Sequence, residues 1–152
     1  MREQLMHFEP ENPAVVEAGQ GVRLSFHMSK AGFMEFMLTA ACNGDWRFEG
    51  RESVMLKVLL NGEYNQDIIL FFGDRWLEYP RLLGFFEAGS YEAELLFHEQ
   101  SSPDARMASV KTVVVNLVDR DSELGLVYRY TPLLYGRNIG HPTESCYTDT
   151  PL

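Results

Sequence analysis

Val22, Leu24, Phe26 and Met28 alternate with Arg23, Ser25 and His27, the period-two pattern of a strand with one buried face and one wet face. Met34, Phe36, Leu38, Ala40 and Cys42 form a second apolar row, and Val54, Leu56, Val58 and Leu60 a third. Asn61-Gly62 follows, then a fourth strand through Ile68, Ile69, Leu70, Phe71 and Phe72. Asn-Gly between strand-like runs predicts a two-residue hairpin, because a type I′ turn needs positive φ at both central positions. Leu77 to Phe86 carries Pro80, which suits an edge strand or a bulge. Tyr91, Ala93, Leu95 and Phe97 alternate with Glu92, Glu94 and His98, and Met107 to Val118, with Thr112-Val113-Val114-Val115, is the last strand.

No run has the 3.6-residue period of a helix. Seven or eight strands at hairpin spacing predict two packed antiparallel sheets, since one sheet of this size would leave an apolar face uncovered. The strand openings repeat: Lys30-Ala31-Gly32-Phe33 returns as Glu87-Ala88-Gly89-Ser90-Tyr91. Residues 1–12, ending in Glu9-Pro10-Glu11-Asn12-Pro13, read as a polar lead-in whose prolines discourage pairing. The sandwich is expected over residues 13–123. After the charged break Asp119-Arg120-Asp121-Ser122-Glu123, residues 124–152 read as an irregular, tyrosine-rich tail that packs on the sandwich or begins a second domain.

The chain has 152 residues, 45% hydrophobic and 23% charged, which suits one globular domain with a single core. A net charge of −9 with no basic cluster disfavours nucleic acid as a partner. No signal-peptide core and no apolar run near the ~20 residues of a membrane helix stand in the sequence, so the chain reads as soluble, with its compartment left open. Cys42 and Cys146 define no disulfide framework and are expected as free thiols.

Trp46 follows Asn43-Gly44-Asp45 and Trp76 follows Gly73-Asp74-Arg75, both where no core periodicity accounts for an indole. Loop indoles suit stacking on the apolar C–H faces of sugar rings, whose hydroxyls need polar partners; Asp45, Arg51, Arg75 and Tyr79 are the expected ones. The competing reading makes both indoles lids over the ends of the core. Asp45, Glu49, Glu52 and Asp74 offer oxygen ligands for calcium, but their spacing matches no EF-hand loop, and a solvated acidic surface explains them better. His7, His27, His98 and His141 include no close metal-binding pair. A glycosidase pair could be drawn from Glu35, Glu92 and Glu94, but any β-sandwich offers outward glutamates on its strands. Gly-x-Ser-x-Gly is absent, so the chain is read as non-catalytic.

Residues 13–118 resemble the galactose-binding-like β-sandwich, the jelly roll of many carbohydrate-binding modules. The resemblance rests on Lys30-Ala31-Gly32-Phe33, Val54-Met55-Leu56-Lys57-Val58-Leu59-Leu60-Asn61-Gly62 and Leu83-Gly84-Phe85-Phe86-Glu87-Ala88-Gly89-Ser90-Tyr91. It implies glycan binding by loop aromatics at one end of the sandwich and, in many such modules, a structural calcium; other members serve as protein-contact domains. The expectation is a ligand-binding module for carbohydrate. An accessory protein-interaction domain is the alternative, and a small β-sandwich hydrolase a weaker one.

Overall fold

The computed structural model describes residues 2–135, with the side chains of residues 131–135 excepted. Nine strands run β1(Arg2–Phe8), β2(Ala14–Val16), β3(Gly21–Met28), β4(Gly32–Cys42), β5(Val54–Leu60), β6(Glu63–Leu70), β7(Leu77–Phe86), β8(Gly89–Phe97) and β9(Ala108–Val118), followed by helix α1(Glu123–Tyr135). They form two antiparallel sheets, one ordered β1-β9-β4-β7 with β2 also on β9, the other β3-β8-β5-β6. The expected all-β sandwich is therefore the architecture.

The alternation read from the sequence is what fills the space between the sheets. Leu24, Met28, Met34, Phe36, Leu38, Leu56, Ile68, Leu95 and Leu117 are all fully buried. Each such side chain contributes roughly 1.5–3 kcal/mol by leaving water. The hairpin at Asn61-Gly62 has φ of 51° and 84°, the mirror-image turn that matches the twist of β5 and β6. Pro80 lies on β7, the edge of its sheet, where a missing N–H costs no ladder bond. Where β7 bulges opposite Met34 and Glu35, the carbonyls of Leu82 and Leu83 accept hydrogen bonds from Gln66 (3.0 Å) and Asn65 (3.1 Å) of β6. These two amides close the seam between the edges of the two sheets.

Two expectations need correction. Residues 2–8, read as a lead-in, form β1 and pair with Val113–Val118 of β9. The prolines interrupt pairing only between β1 and β2; Leu5, Met6 and Phe8 pack on the core and offset the polar residues around them. The start of the tail, read as irregular, is helix α1; Cys146, His141 and the rest of the tail beyond Tyr135 lie outside the described residues. Ser122 caps α1, its hydroxyl accepting from the Gly125 N–H at 3.0 Å. A methyl group at Gly125 would collide with the carbonyls of Asp119 and Arg120. Gly125→Ala is expected to cost about 1–3 kcal/mol, despite alanine's higher helix propensity, and chemical denaturation reads it directly.

Helix α1 covers one end of the outer face of the first sheet. Phe33 and Glu35, out of phase with the core, are 7% and 8% exposed because Tyr128 stands over them. The Glu35 carboxylate accepts from Arg2 of β1, from Asn116 of β9 (3.2 Å) and from the Tyr128 hydroxyl, so one anion ties three strands to the helix. Burial alone pushes Glu35 up, but the bonds from Arg2, Tyr128 and Asn116 together outweigh it and hold the carboxyl below its usual range. Burial, with Glu35 beside it, pushes the Tyr128 phenol up to about 12. Glu35 therefore contributes stability that is full above its unfolded value near ~4.3 and lost as pH falls through its lower folded value. Tyr128 contributes stability that is full below ~10 and lost as pH rises through about 12. Glu35→Gln is expected to cost about 1–2 kcal/mol at pH 7, discounted because Arg2 is half exposed, and to flatten the acid limb of a stability-versus-pH curve.

Candidate functional site

Three loops meet at one end of the sandwich: 43–53 after β4, 71–76 after β6 and 98–107 after β8. Backbone bonds stitch the first two together, from Cys42 N to Gly73 O (3.1 Å), Gly73 N to Gly44 O (2.7 Å) and Trp46 N to Phe71 O (3.1 Å). The third joins through Asn43 N to Met107 O (3.1 Å), Ser102 N to Ser53 O (3.0 Å) and Asp104 N to Gly50 O (2.8 Å). A loop cluster so bonded holds its side chains in place without being part of a sheet.

Between these loops lies a cavity of about 500 Å³ lined by Asn43, Asp45, Arg51, Asp74, Trp76 and Ser109, with Cys42 and Met107 among the floor residues. Three of the six residues expected from the sequence converge on it: Asp45, Arg51 and Trp76. The Trp76 indole is 42% exposed, with the Lys111 ammonium 5.6 Å from the ring centre. Arg51 lies over the Phe48 ring at 4.5 Å, which orients its guanidinium, and its guanidinium N–H groups make no hydrogen bond among the described residues. Asp74 is exposed and likewise without a hydrogen bond or ion pair among the described residues.

The other three are placed differently. Trp46 is 58% exposed on the stitched loops but does not line the cavity. Arg75 is drawn over the Phe72 ring at 4.9 Å, also outside the lining. Tyr79 belongs to the core: it follows the inward phase of β7 and is buried, so its phenol is not a surface partner for ligand. Asn43 and Ser109 escaped sequence reading because only the fold brings the start of β9 beside the end of β4.

Asp45 organises the loop. Its Oδ1 accepts from the Arg47 backbone N–H (3.0 Å) and Nε (2.9 Å), its Oδ2 from Arg47 Nη2 (2.7 Å), and its own N–H donates to Arg51 O (2.7 Å). These bonds from Arg47 hold the Asp45 carboxyl at about 2. The Cys42 thiol is buried and exchanges hydrogen bonds with Gly44; burial pushes it up, so it is a poor nucleophile. Glu35 lies on one sheet, and Glu92 and Glu94 lie on the other, where both engage Arg23.

No family model and no curated protein matches this sequence. Solved structures do. A carbohydrate-binding module of family 36 from a multidomain xylanase of the hindgut metagenome of Trinervitermes trinervoides superposes with a TM-score of 0.57 at 13% identity, covering 76% of this chain and 96% of that one. This chain shares the β-sandwich fold of that module. A family 36 module in complex with calcium and xylotriose matches with a TM-score of 0.55 at 9% identity, over 76% of this chain and 98% of that one. A ruminal endo-β-1,4-mannanase matches at 0.53 and 12% identity, over 72% of this chain and 20% of the enzyme. The chain thus spans nearly all of the two isolated modules and a fifth of the mannanase.

Proposed function

We propose that this chain is a non-catalytic carbohydrate-binding module whose ligand enters the loop-end cavity. The observation that carries this is the convergence of the exposed Trp76 indole with the Arg51 guanidinium and the Asp74 carboxylate, neither of which has a side-chain hydrogen bond among the described residues. The C–H face of a pyranose stacks on Trp76, while Arg51 donates to, and Asp74 accepts from, its hydroxyls. Asp45 does not touch the sugar in this reading; it fixes the loop that presents Arg51. Trp46, on the adjoining loop, offers a second platform to a longer chain.

The similar structures direct the choice of ligand, since one holds xylotriose and others come from a xylanase and a mannanase. Native affinity gels containing xylan, β-mannan or dextran test the proposal. Retarded migration in at least one gel, reversed by the free oligosaccharide, is the expected result. Unchanged mobility across the panel would remove the proposal.

A second reading, an accessory domain that contacts protein, is favoured by the outer face of the first sheet. There Leu126 and Tyr130 of α1 and Phe85 of β7 are 44%, 60% and 41% exposed, beside a depression lined by Phe33, Phe85, Arg120, Tyr128 and Arg129. Replacing Tyr130 with serine leaves glycan retention unchanged under the first reading.

A further inference from the structure

A calcium ion is what the fold family suggests for such a module, and one similar structure holds calcium. The fit can be tested on the oxygens at this end of the sandwich. Calcium takes six to eight oxygen ligands, several of them carboxylate. Both oxygens of Asp45 are gripped by Arg47. Glu52 is also engaged, Oε2 accepting from Gly50 N–H (3.0 Å) and Oε1 from the Ser102 hydroxyl (3.1 Å). Asp74 stands alone, and no three His, Cys, Asp or Glu side chains converge among the described residues. The donor set does not fit a calcium cage.

We infer that Arg47 is the built-in cation of this loop end: its guanidinium organises the Asp45 loop, so that folding and ligand capture at the cavity are independent of calcium. Asp45 is the most enclosed carboxylate of the three loops, its side chain 12% exposed, and an anion so placed needs a positive partner. A divalent ion supplies one from solution and must be bound again after every unfolding. Arg47 supplies one from two residues away, and the fork of Nε and Nη2 meets both carboxylate oxygens while the Arg47 backbone N–H makes a third bond. Three consequences of Asp45 being held follow in the same loop: Asp45 N–H donates to Arg51 O, Phe48 N–H donates to Asp45 O (2.9 Å), and Asp45 bridges to Phe72. The first presents Arg51 to the cavity, the second places the ring on which Arg51 lies, and the third joins the loop to the one carrying Trp76. Arg47 is a positioning residue that does not itself reach the ligand.

This inference rests on the loop-end reading for its binding half, and its stability half can be measured without any glycan. The full chain is melted in millimolar calcium chloride and in excess EDTA. Coincident midpoints are expected, whereas a midpoint raised several degrees by calcium and lowered by chelator would overturn the inference, because a bound ion stabilises by mass action. Asp45→Asn, Arg47→Ala and the double variant are then compared. If the pair acts as a unit, Arg47→Ala costs much less in the Asp45→Asn background than alone; additive losses would overturn the positioning role. Arg47→Lys, which keeps the charge without the fork, is expected to fall between wild type and Arg47→Ala, and it substitutes in the cycle if the alanine variant does not fold. On any gel that retards the wild type, retardation equal with calcium and with EDTA is expected; loss with EDTA alone would contradict calcium independence while leaving glycan binding intact.

Discussion

Trp76→Ala is expected to lower glycan retention by roughly 30-fold or more, about 2 kcal/mol or above, with little change in melting temperature. The indole is 42% exposed and lies in the loop after β6, so its removal takes away ligand surface while leaving the sandwich core complete. A flat aromatic face lining a cavity is worth more than a single polar group beside it. Water replaces a lost hydrogen bond at modest cost, whereas a sugar face without its platform stays hydrated. Trp46→Ala, outside the cavity lining, is expected to cost less, and more on polysaccharide than on a trisaccharide. Equal losses from both substitutions on a trisaccharide would move the site away from the cavity. Affinity electrophoresis with a concentration series of polysaccharide supplies the constants, and circular dichroism confirms that each variant is folded.

Phe36→Ala is expected to destabilise the fold by about 3–5 kcal/mol, a large fraction of the ~5–15 kcal/mol that holds a domain together. Phe36 is 1% exposed on β4, the strand bonded on one side to β9 and on the other to β7. Its register partners, Val115 and Arg81, sit on neighbouring backbones fixed by their ladders, so the walls of the resulting cavity relax little. The melting midpoint should fall by roughly 10 °C or more. Val15→Ser on β2, where the side chain is 51% exposed, is the control and should stay within about 0.5 kcal/mol. Urea denaturation of the three proteins, with unchanged slopes, checks both values.

The sheets were legible in the sequence because period-two alternation is a local property that packing then uses directly. Val22 to Met28 reads buried and exposed in strict turn, as expected for a strand with one face on the core. β1 was hidden because its half-buried residues, Leu5, Met6 and Phe8, do not keep one phase; the ladder slips between Gln4 and Met6. Helix α1 was hidden by Gly125, Thr131 and Pro132, poor helix residues individually, and by the absence of a polar face. What holds it is tertiary: Tyr128 on Glu35 and Phe33, contacts across more than ninety residues that no window along the chain contains.

The site was half legible for the same reason. Trp76, Arg51 and Asp45 could be named because they stand near Gly and Asp in segments without core periodicity. Tyr79 was misplaced because an edge strand does not say which of its residues turn inward, and here the phase of β7 turns the phenol into the core. Nothing in the sequence around Arg47 marks it as the partner of Asp45. Its importance arises from a fork of hydrogen bonds two residues away, which depends on the turn geometry of the loop.

The most direct test of the central claim is a titration of ¹⁵N-labelled protein with xylotriose, then with mannotriose and isomaltotriose, followed through amide and indole N–H shifts. Perturbations confined to residues 41–45, 51, 73–76 and 107–109 are expected, with the Trp76 indole among the largest. Shifts centred on the outer face of the second sheet around Ser25, His27 and Ser90, or none with any of the sugars, would contradict that claim.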